Sequence, residues 1–210
     1  MAGEHAGIEL KTQRIEALCD GIFAIAMTIL ALSFESIFEP VHAANNPHIV
    51  EMLSQLWPDF IYYVMSFLIL GVFWLQHHNQ FHFIKHADVG LLFINIIGLM
   101  FITLIPFATV IEGDYYYTQI AALFFEVNLF IAGLIFFLHW VYASGGHRLV
   151  DKDLDARIIS SYRKRNLIIP ITSLIAIPLT LVNPKLGPPV YFLVPFVLFV
   201  YMLKTKKIFD

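Results

Sequence analysis

The second apolar segment of the chain ends in side chains that can exchange protons and form hydrogen bonds. His77 and His78 follow Trp74 by three and four residues, so on a helix these side chains share one face. Histidine titrates near neutral pH, and one interpretation is therefore a proton-sensitive switch. The other is a set of interhelical hydrogen bonds that holds neighbouring helices in place. The structural interpretation is favoured, with some pH sensitivity following from it.

The first apolar segment carries ionisable groups at the same depth. Arg14 precedes this segment and Asp20 lies within it. An ionisable group at the edge of the membrane core is costly and usually has a partner. Asp20 is offset by about 120° from Arg14 on a helical projection, so we expect it to face neighbouring helices. The predicted polar network comprises Asp20, Arg14, Trp74, His77 and His78.

The sequence contains candidate residues for two kinds of enzyme chemistry. His78, His82 and His86 repeat every four residues, which could place three imidazoles on one helix face for a metal ion. No carboxylate or cysteine set converges with them, so the sequence predicts no structural metal site, and a metalloenzyme using His77, His78 and His82 is disfavoured. Nucleophilic catalysis is not expected either, since there is no Gly-x-Ser-x-Gly motif and the single cysteine is expected to be buried. We therefore predict that the chain is not an enzyme.

Glu126 lies near the middle of the fourth apolar segment and is costly there if it is charged. The sequence leaves open whether it is protonated, paired or facing a water-filled cavity. Together with Asp20 and the pair His77 and His78, it gives an alternative function, a proton-coupled secondary transporter.

The elements that carry these groups are predicted to be membrane-spanning helices. The chain of 210 residues is 59% hydrophobic and 14% charged, against about 45–50% and about 25% in soluble domains. A helix needs about 20 apolar residues to cross a bilayer. The six predicted spans are about 15–34, 57–81, 88–111, 117–142, 164–182 and 188–204, in a single domain of residues 1–210. The fifth and sixth are short and contain prolines, and residues 143–163 are predicted to be a solvated amphipathic linker.

The basic residues indicate how these spans are oriented. Twelve of the 13 Lys and Arg residues lie on one side of the predicted spans, and Lys185 alone lies on the other. Basic segments stay in the cytosol, so both termini are predicted to be cytosolic in a multi-pass protein of the cell membrane. No basic patch with interleaved aromatic residues indicates nucleic-acid binding. The outer loops are predicted to hold Glu35, Glu39, Glu51, Glu112 and Asp114.

The first span has one distinctive face. On a helix of 3.6 residues per turn a single stripe contains Arg14, Leu18, Gly21, Ile25, Thr28 and Leu32. One interpretation is a pore wall, in which a ring of Ile25 side chains from several subunits forms a dry constriction and a ring of Thr28 hydroxyls coordinates a partly dehydrated cation. Glu35 and Glu39 would attract cations to the outer mouth. The other interpretation is a helix buried among its neighbours, with Thr28 bonded to its own turn.

These residues resemble the bacterial members of the transmembrane protein 175 family, the endolysosomal-type potassium channels. That family carries an Arg-x-x-x-Phe-Ser-Asp motif in its first span, and the corresponding residues here are Arg14, Leu18, Cys19 and Asp20. Leucine and cysteine replace phenylalanine and serine, so the motif loses a hydroxyl. The other matching residues are the Gly21-Ile-Phe-Ala-Ile25-Ala-Met-Thr28 continuation, Trp74 with His77-His78, Asn95, and Leu104-x-Pro106-Phe107-x-Thr109. The resemblance covers the first four helices well and the last two by hydropathy alone.

The resemblance implies an all-α integral membrane protein that conducts potassium in preference to sodium without a Thr-Val-Gly-Tyr-Gly filter. It implies a homotetramer in the lipid bilayer, with the first helix lining a central pore and potassium ions passing near Ile25 and Thr28. The implied pore-lining residues are Gly21, Ile25, Thr28, Ile29 and Leu32. The implied structural network comprises Arg14, Cys19, Asp20, Trp74, His77, His78 and Asn95. No cofactor is expected apart from the permeant potassium ions.

Overall fold

The structure is a computed structural model that describes residues 12–32 and 57–205. Its helices are α1 (Thr12–Leu32), α2 (Trp57–Phe83), α3 (Val89–Asp114), α4 (Gln119–Ser144), α5 (Ala156–Asn166), α6 (Ile168–Val182) and α7 (Leu193–Thr205). Short 3-10 turns occupy Gly145–His147 and Pro188–Phe192. The described part of the chain is therefore all-α, as predicted.

Five stretches of helix are long and apolar enough to cross a membrane, within the described ranges. They are Thr12–Leu32, Asp59–Phe83, Val89–Asp114, Gln119–His147 and Ala156–Val182, and Pro188–Lys204 is a shorter apolar helix. The chain is thus a multi-pass membrane protein. The first four predicted spans differ from the helices α1 to α4 by at most three residues at either end.

The structure corrects the prediction that residues 143–163 form a solvated linker. Helix α5 begins at Ala156, where the Asp155 carboxylate caps its first turn by accepting a backbone N–H. The Ile159 side chain is buried, and the indole N–H of Trp140 on α4 donates to the Ile159 carbonyl oxygen at 3.1 Å. The amphipathic pattern of this segment therefore serves to pack it against α4, and the fifth apolar stretch starts earlier than predicted.

The turn between α2 and α3 is fixed by Asp88. Its carboxylate accepts from the Leu91 N–H at 2.8 Å and from the Tyr142 hydroxyl at 3.0 Å, and it pairs with Arg148 at 3.1 Å. Burial acts to raise the pKa of Asp88, but these hydrogen bonds and the guanidinium together lower it below its usual value. The N-terminus of α3 is thereby held to the C-terminal end of α4.

Helices α3 and α4 form the centre of the bundle, with α1 and α2 packed on α3 and with α6 packed on α4. Two glycines allow this close approach. A Cβ placed on Gly98 would lie 3.1 Å from the Phe136 ring, and one on Gly133 would lie 2.7 Å from Pro170 Cδ. Small residues at helix contacts are typical of membrane proteins, where close packing replaces the hydrophobic effect.

The replacement of Gly133 by alanine is expected to lower the free energy of unfolding by about 1–3 kcal/mol, because the added methyl group has no space against Pro170. Gly71→Ala is the matched control, since nothing lies within 4 Å of a Cβ at that position. It should leave stability unchanged or raise it by about 0.5–1 kcal/mol. Thermal unfolding of both variants in detergent measures this, and equal shifts would contradict the close packing of α4 on α6.

Helix α1 has one buried face. Its buried residues are Ile15, Cys19, Phe23, Ala26 and Leu30, which recur at helical spacing and pack on α2 and α3. The opposite face of α1 contains the stripe that the sequence singled out. Of the predicted outer acids, Glu35, Glu39 and Glu51 lie outside the described residues. Glu112 is not in a loop as predicted but is fully buried within α3.

Candidate functional site

The stripe on α1 is exposed along its whole length in the single chain. Leu18 is 54% exposed, Ile25 57%, Ile29 49% and Leu32 63%. Gly21 and Thr28 are exposed as well. The described part of the same chain therefore does not bury this face. A row of large aliphatic side chains on such a face is available to line a pore, to meet another subunit or to meet lipid.

Thr28 has its hydrogen-bond donor occupied. Its hydroxyl donates to the Ile25 carbonyl oxygen at 2.8 Å, which is the back-bonding expected of threonine inside a helix. The hydroxyl oxygen keeps its lone pairs, and it lies on the exposed face. At this position the side chain can act as an acceptor, which is the role that a cation requires.

A partly exposed side of α1, away from the stripe, is fixed to α2 near the start of α1. The Trp74 indole N–H donates to Asp20 Oδ1 at 2.9 Å. The His78 ring stacks on the Trp74 ring with centroids 5.6 Å apart, and His78 Nδ1 lies 3.2 Å from Glu16 Oε1. Asp20 thus faces a neighbouring helix and is joined to it by a side-chain hydrogen bond.

Asn95 on α3 connects α1 to α2 deeper in the bundle. Its amide N–H donates to Cys19 Sγ at 3.1 Å, and its Oδ1 lies 2.9 Å from His77 Nε2. Because Oδ1 can only accept, this geometry assigns a proton to His77 Nε2. Asn95 and His77 are both buried. Cys19 therefore supplies an acceptor where the family motif has a serine hydroxyl.

The structure brings together six of the seven residues of the predicted network and leaves Arg14 apart. Arg14 is exposed and lies on the same face of α1 as Leu18 and Ile25. It makes no hydrogen bond or ion pair with residues in the described ranges. The separation of about 120° between Arg14 and Asp20 on the helix accounts for this difference.

Two buried partners were missed from the sequence. His139 Nδ1 on α4 lies 2.7 Å from Gln80 Oε1, and Gln80 Nε2 donates to the Phe136 carbonyl oxygen at 3.4 Å. The His139 and His77 rings are 5.8 Å apart, so α4 joins the same buried cluster. The sequence could have indicated that these residues have partners, because a polar side chain inside an apolar span costs free energy unless it is paired.

Glu126 is held by a hydrogen bond on the other side of the bundle. Thr180 on α6 donates to Glu126 Oε1 at 2.6 Å, and the Glu126 side chain is fully buried. A Cβ on Gly187 would collide with Thr180 Oγ1 and with Glu126 Oε1. The glycine therefore lets the loop close over this hydrogen-bonded pair. Of the three options that the sequence left open, the structure gives Glu126 a hydrogen-bonding partner.

Glu126 does not lie with the histidines, as the transporter interpretation requires. It is 13 residues before His139 on α4, which corresponds to about 20 Å along the helix. The buried residues between them on α4 begin with Asn128, but Leu129, Ala132 and Phe136 that follow are apolar. Residues 129–136 of α4 therefore offer no polar side chain for a direct proton relay. Across residues 12–32 and 57–205, no three His, Cys, Asp or Glu side chains are grouped so that they could hold a metal ion.

Comparison with known proteins shows what the chain is related to. The family described as the endosomal/lysosomal potassium channel TMEM175 matches residues 14–106, which carry α1, α2 and most of α3. A potassium channel of Streptomyces collinus is 31% identical over 180 residues, covering 80% of this chain and 85% of the relative. The chain belongs to the TMEM175 family.

The TMEM175 fold extends over nearly the whole chain. A potassium channel of Chamaesiphon minutus is 28% identical over 186 residues, covering 87% of this chain and 90% of the relative. The crystal structure of a lysosomal potassium-selective channel TMEM175 homolog from Chamaesiphon minutus has a TM-score of 0.75 and 26% identity, covering 90% of this chain and 96% of that one. The resemblance read from the sequence is confirmed, and it places the chain in a family of channels rather than in an enzyme class.

Proposed function

We propose that this TMEM175-family chain is a potassium-selective channel of the cell membrane, with α1 from four copies lining a central pore. One observation carries the proposal. The face of α1 with Ile25 and Thr28 is exposed, while hydrogen bonds fix the opposite face to α2 and α3. A helix held in this way presents one defined face to whatever surrounds it. The relatives named potassium channels supply the permeant ion.

The proposed topology has six spans, with the apolar helix α6 forming the fifth, after the polar helix α5, and the helix Pro188–Lys204 the sixth. The bias of basic residues to one side supports cytosolic termini. An even number of spans returns the chain to the side on which it began. Each chain provides one set of helices, so several copies are needed to enclose a pore. A homotetramer is proposed, as the resemblance implies.

In this assembly each pore residue forms a ring. Four Ile25 side chains make a dry constriction that opens and closes to water. Thr28 lies one turn further along, about 4.5 Å away, and its lone pairs face the ion path. Ile29 and Leu32 continue the wall, and Gly21 leaves a wider space on the other side of Ile25. Glu35 and Glu39 are proposed to attract cations at the outer mouth.

The polar network is proposed to hold the pore face in register. Rotation of α1 would replace Ile25 in the constriction by a neighbouring side chain. The Trp74–Asp20 bond and the Asn95 bridge resist this rotation, because each joins α1 to a different helix. The network is therefore structural, with any pH dependence following from its histidines.

Current recordings on purified protein in planar bilayers test the proposed function. With unequal potassium concentrations on the two sides, balanced by sodium, the current should reverse near the potassium equilibrium potential and should not shift with an imposed pH gradient. A saturable flux coupled to protons would instead support the transporter and exclude the channel. The separation of Glu126 from the histidines argues for the first result.

A further inference from the structure

A cavity of about 380 Å³ lies between α5 and α7, away from the proposed pore face. Its lining residues are Ala156, Arg157, Ser160, Ser161, Lys164 and Tyr201. Arg157, Ser160 and Lys164 follow one another at intervals of three and four residues, so they form a single row on α5. All three are exposed. The cavity therefore has two cations and a hydroxyl on one wall.

The positive charges along α5 are only partly neutralised by acidic side chains. Arg157 pairs with Asp155 at 2.7 Å, but Lys164 has no ion-pair partner within the described ranges. The next residue, Arg165, is 3% exposed, and its Nε and Nη2 atoms have no hydrogen-bond partner in the described part of the chain. Buried cations normally have counter-charges nearby. A site with this surplus of positive charge is complementary to an anion.

The buried guanidinium of Arg165 is close to the same wall. It lies over the Tyr162 ring, 4.7 Å from the centroid, and interacts electrostatically with Tyr201, which lines the cavity. The Tyr201 hydroxyl is itself within 3.4 Å of Ser161 Oγ. The cavity thus has an aromatic side chain, Tyr201, on its α7 side and the basic side chains Arg157 and Lys164 on its α5 side.

The position of the cavity along the bundle suggests the source of the anion. The apolar helix α6 starts at Ile168, four residues after Lys164, and α7 ends at Thr205, four residues after Tyr201. The lining residues therefore lie at the level where the apolar helices meet the polar loops. Tyrosine is enriched at this level of a membrane, where lipid phosphates lie. In the orientation proposed above, this is the cytosolic leaflet.

We propose that this cavity binds a phosphate group, supplied by the headgroup of an anionic phospholipid in the cytosolic leaflet. Arg157 and Lys164 are the cationic contacts, and the Ser160 hydroxyl is a hydrogen-bond donor. Basic pockets of this kind between membrane helices recognise anionic headgroups. The site is separate from the proposed pore, so its occupancy can be tested without any measurement of current.

The test uses the purified full chain in detergent, with short-chain phosphatidic acid, short-chain phosphatidylcholine and inorganic phosphate added in separate titrations. Thermal stabilisation gives the apparent affinity in each case. Phosphatidic acid should stabilise the protein, and phosphatidylcholine should do so much less. The double variant Arg157→Gln with Lys164→Gln should weaken the affinity for phosphatidic acid by about 25-fold, which is about fivefold for each cation. Lys152→Gln is the matched control, since Lys152 is exposed but does not line the cavity.

Three other outcomes would overturn the proposal. Equal affinity of the double variant and the control for phosphatidic acid would exclude this cavity as the site. Equal stabilisation by phosphatidic acid and phosphatidylcholine would exclude recognition of an anionic headgroup. If inorganic phosphate at the same concentration stabilises the protein as much as phosphatidic acid does, the lipid is not the source. Lys164→Gln alone should give about fivefold weakening, which keeps the test available if the double variant does not fold.

Discussion

Ile25→Ala is expected to raise the potassium conductance severalfold and to lower the selectivity for potassium over sodium. The shorter side chain widens the proposed dry constriction, so water and partly hydrated ions pass more easily. Ile25→Asn should also raise the conductance, because it hydrates the constriction. Single-channel currents and reversal potentials in planar bilayers measure both effects.

Ile96→Ala is the matched control for this prediction. Ile96 lies on α3 and is 56% exposed, against 57% for Ile25, so the two substitutions remove the same group from comparably exposed positions. The control should leave the conductance unchanged. If Ile25→Ala and Ile25→Asn both behave like Ile96→Ala, then Ile25 does not form the constriction.

Asn95→Leu is expected to lower the free energy of unfolding by about 2 kcal/mol. The substitution removes two buried hydrogen bonds and leaves His77 Nε2 and Cys19 Sγ without their partner. Interhelical hydrogen bonds in membrane proteins contribute about 0.6–1.7 kcal/mol each, and a buried group left unsatisfied adds to the loss. Thermal unfolding in detergent measures the stability. The conductance should also become variable, because α1 loses a contact that fixes its rotation.

Asn79→Leu provides the comparison for Asn95. The Asn79 amide donates at 2.6 Å to the Leu75 carbonyl oxygen in its own helix, so the substitution removes no interhelical hydrogen bond between described residues. It should change stability little. The double variant Asn95→Leu with His77→Leu should recover part of the loss, since removing both members of a buried pair costs less than removing one. Equal destabilisation by Asn95→Leu and Asn79→Leu would contradict the proposed role of the network.

The sequence predicted the features that depend on local periodicity. The first four predicted spans differ little from α1 to α4 because long apolar segments are a strong signal. The stripe through Ile25 and Thr28 could be read from the spacing of residues on a single helix. The structure then showed that this face is exposed, which the sequence had left open.

The features that the sequence missed depend on contacts between distant helices. Gln80 and His139 are 59 residues apart, and no local pattern pairs them. Depth in the membrane groups Arg14 with Asp20, although the helix places the two side chains about 120° apart around its axis. The burial of Ile159 also depends on the way in which α5 folds back on α4. Depth can be read from the sequence, whereas direction around a helix axis requires knowledge of its neighbours.

Helix α1 is proposed to line a pore at the centre of four chains. Electron cryomicroscopy of the full chain in lipid nanodiscs tests it most directly. We expect a fourfold axis lined by residues 21–32, with Ile25 at the narrowest point and density for ions near Thr28. An assembly in which the exposed face of α1 contacts lipid, with another helix on the symmetry axis, would contradict it.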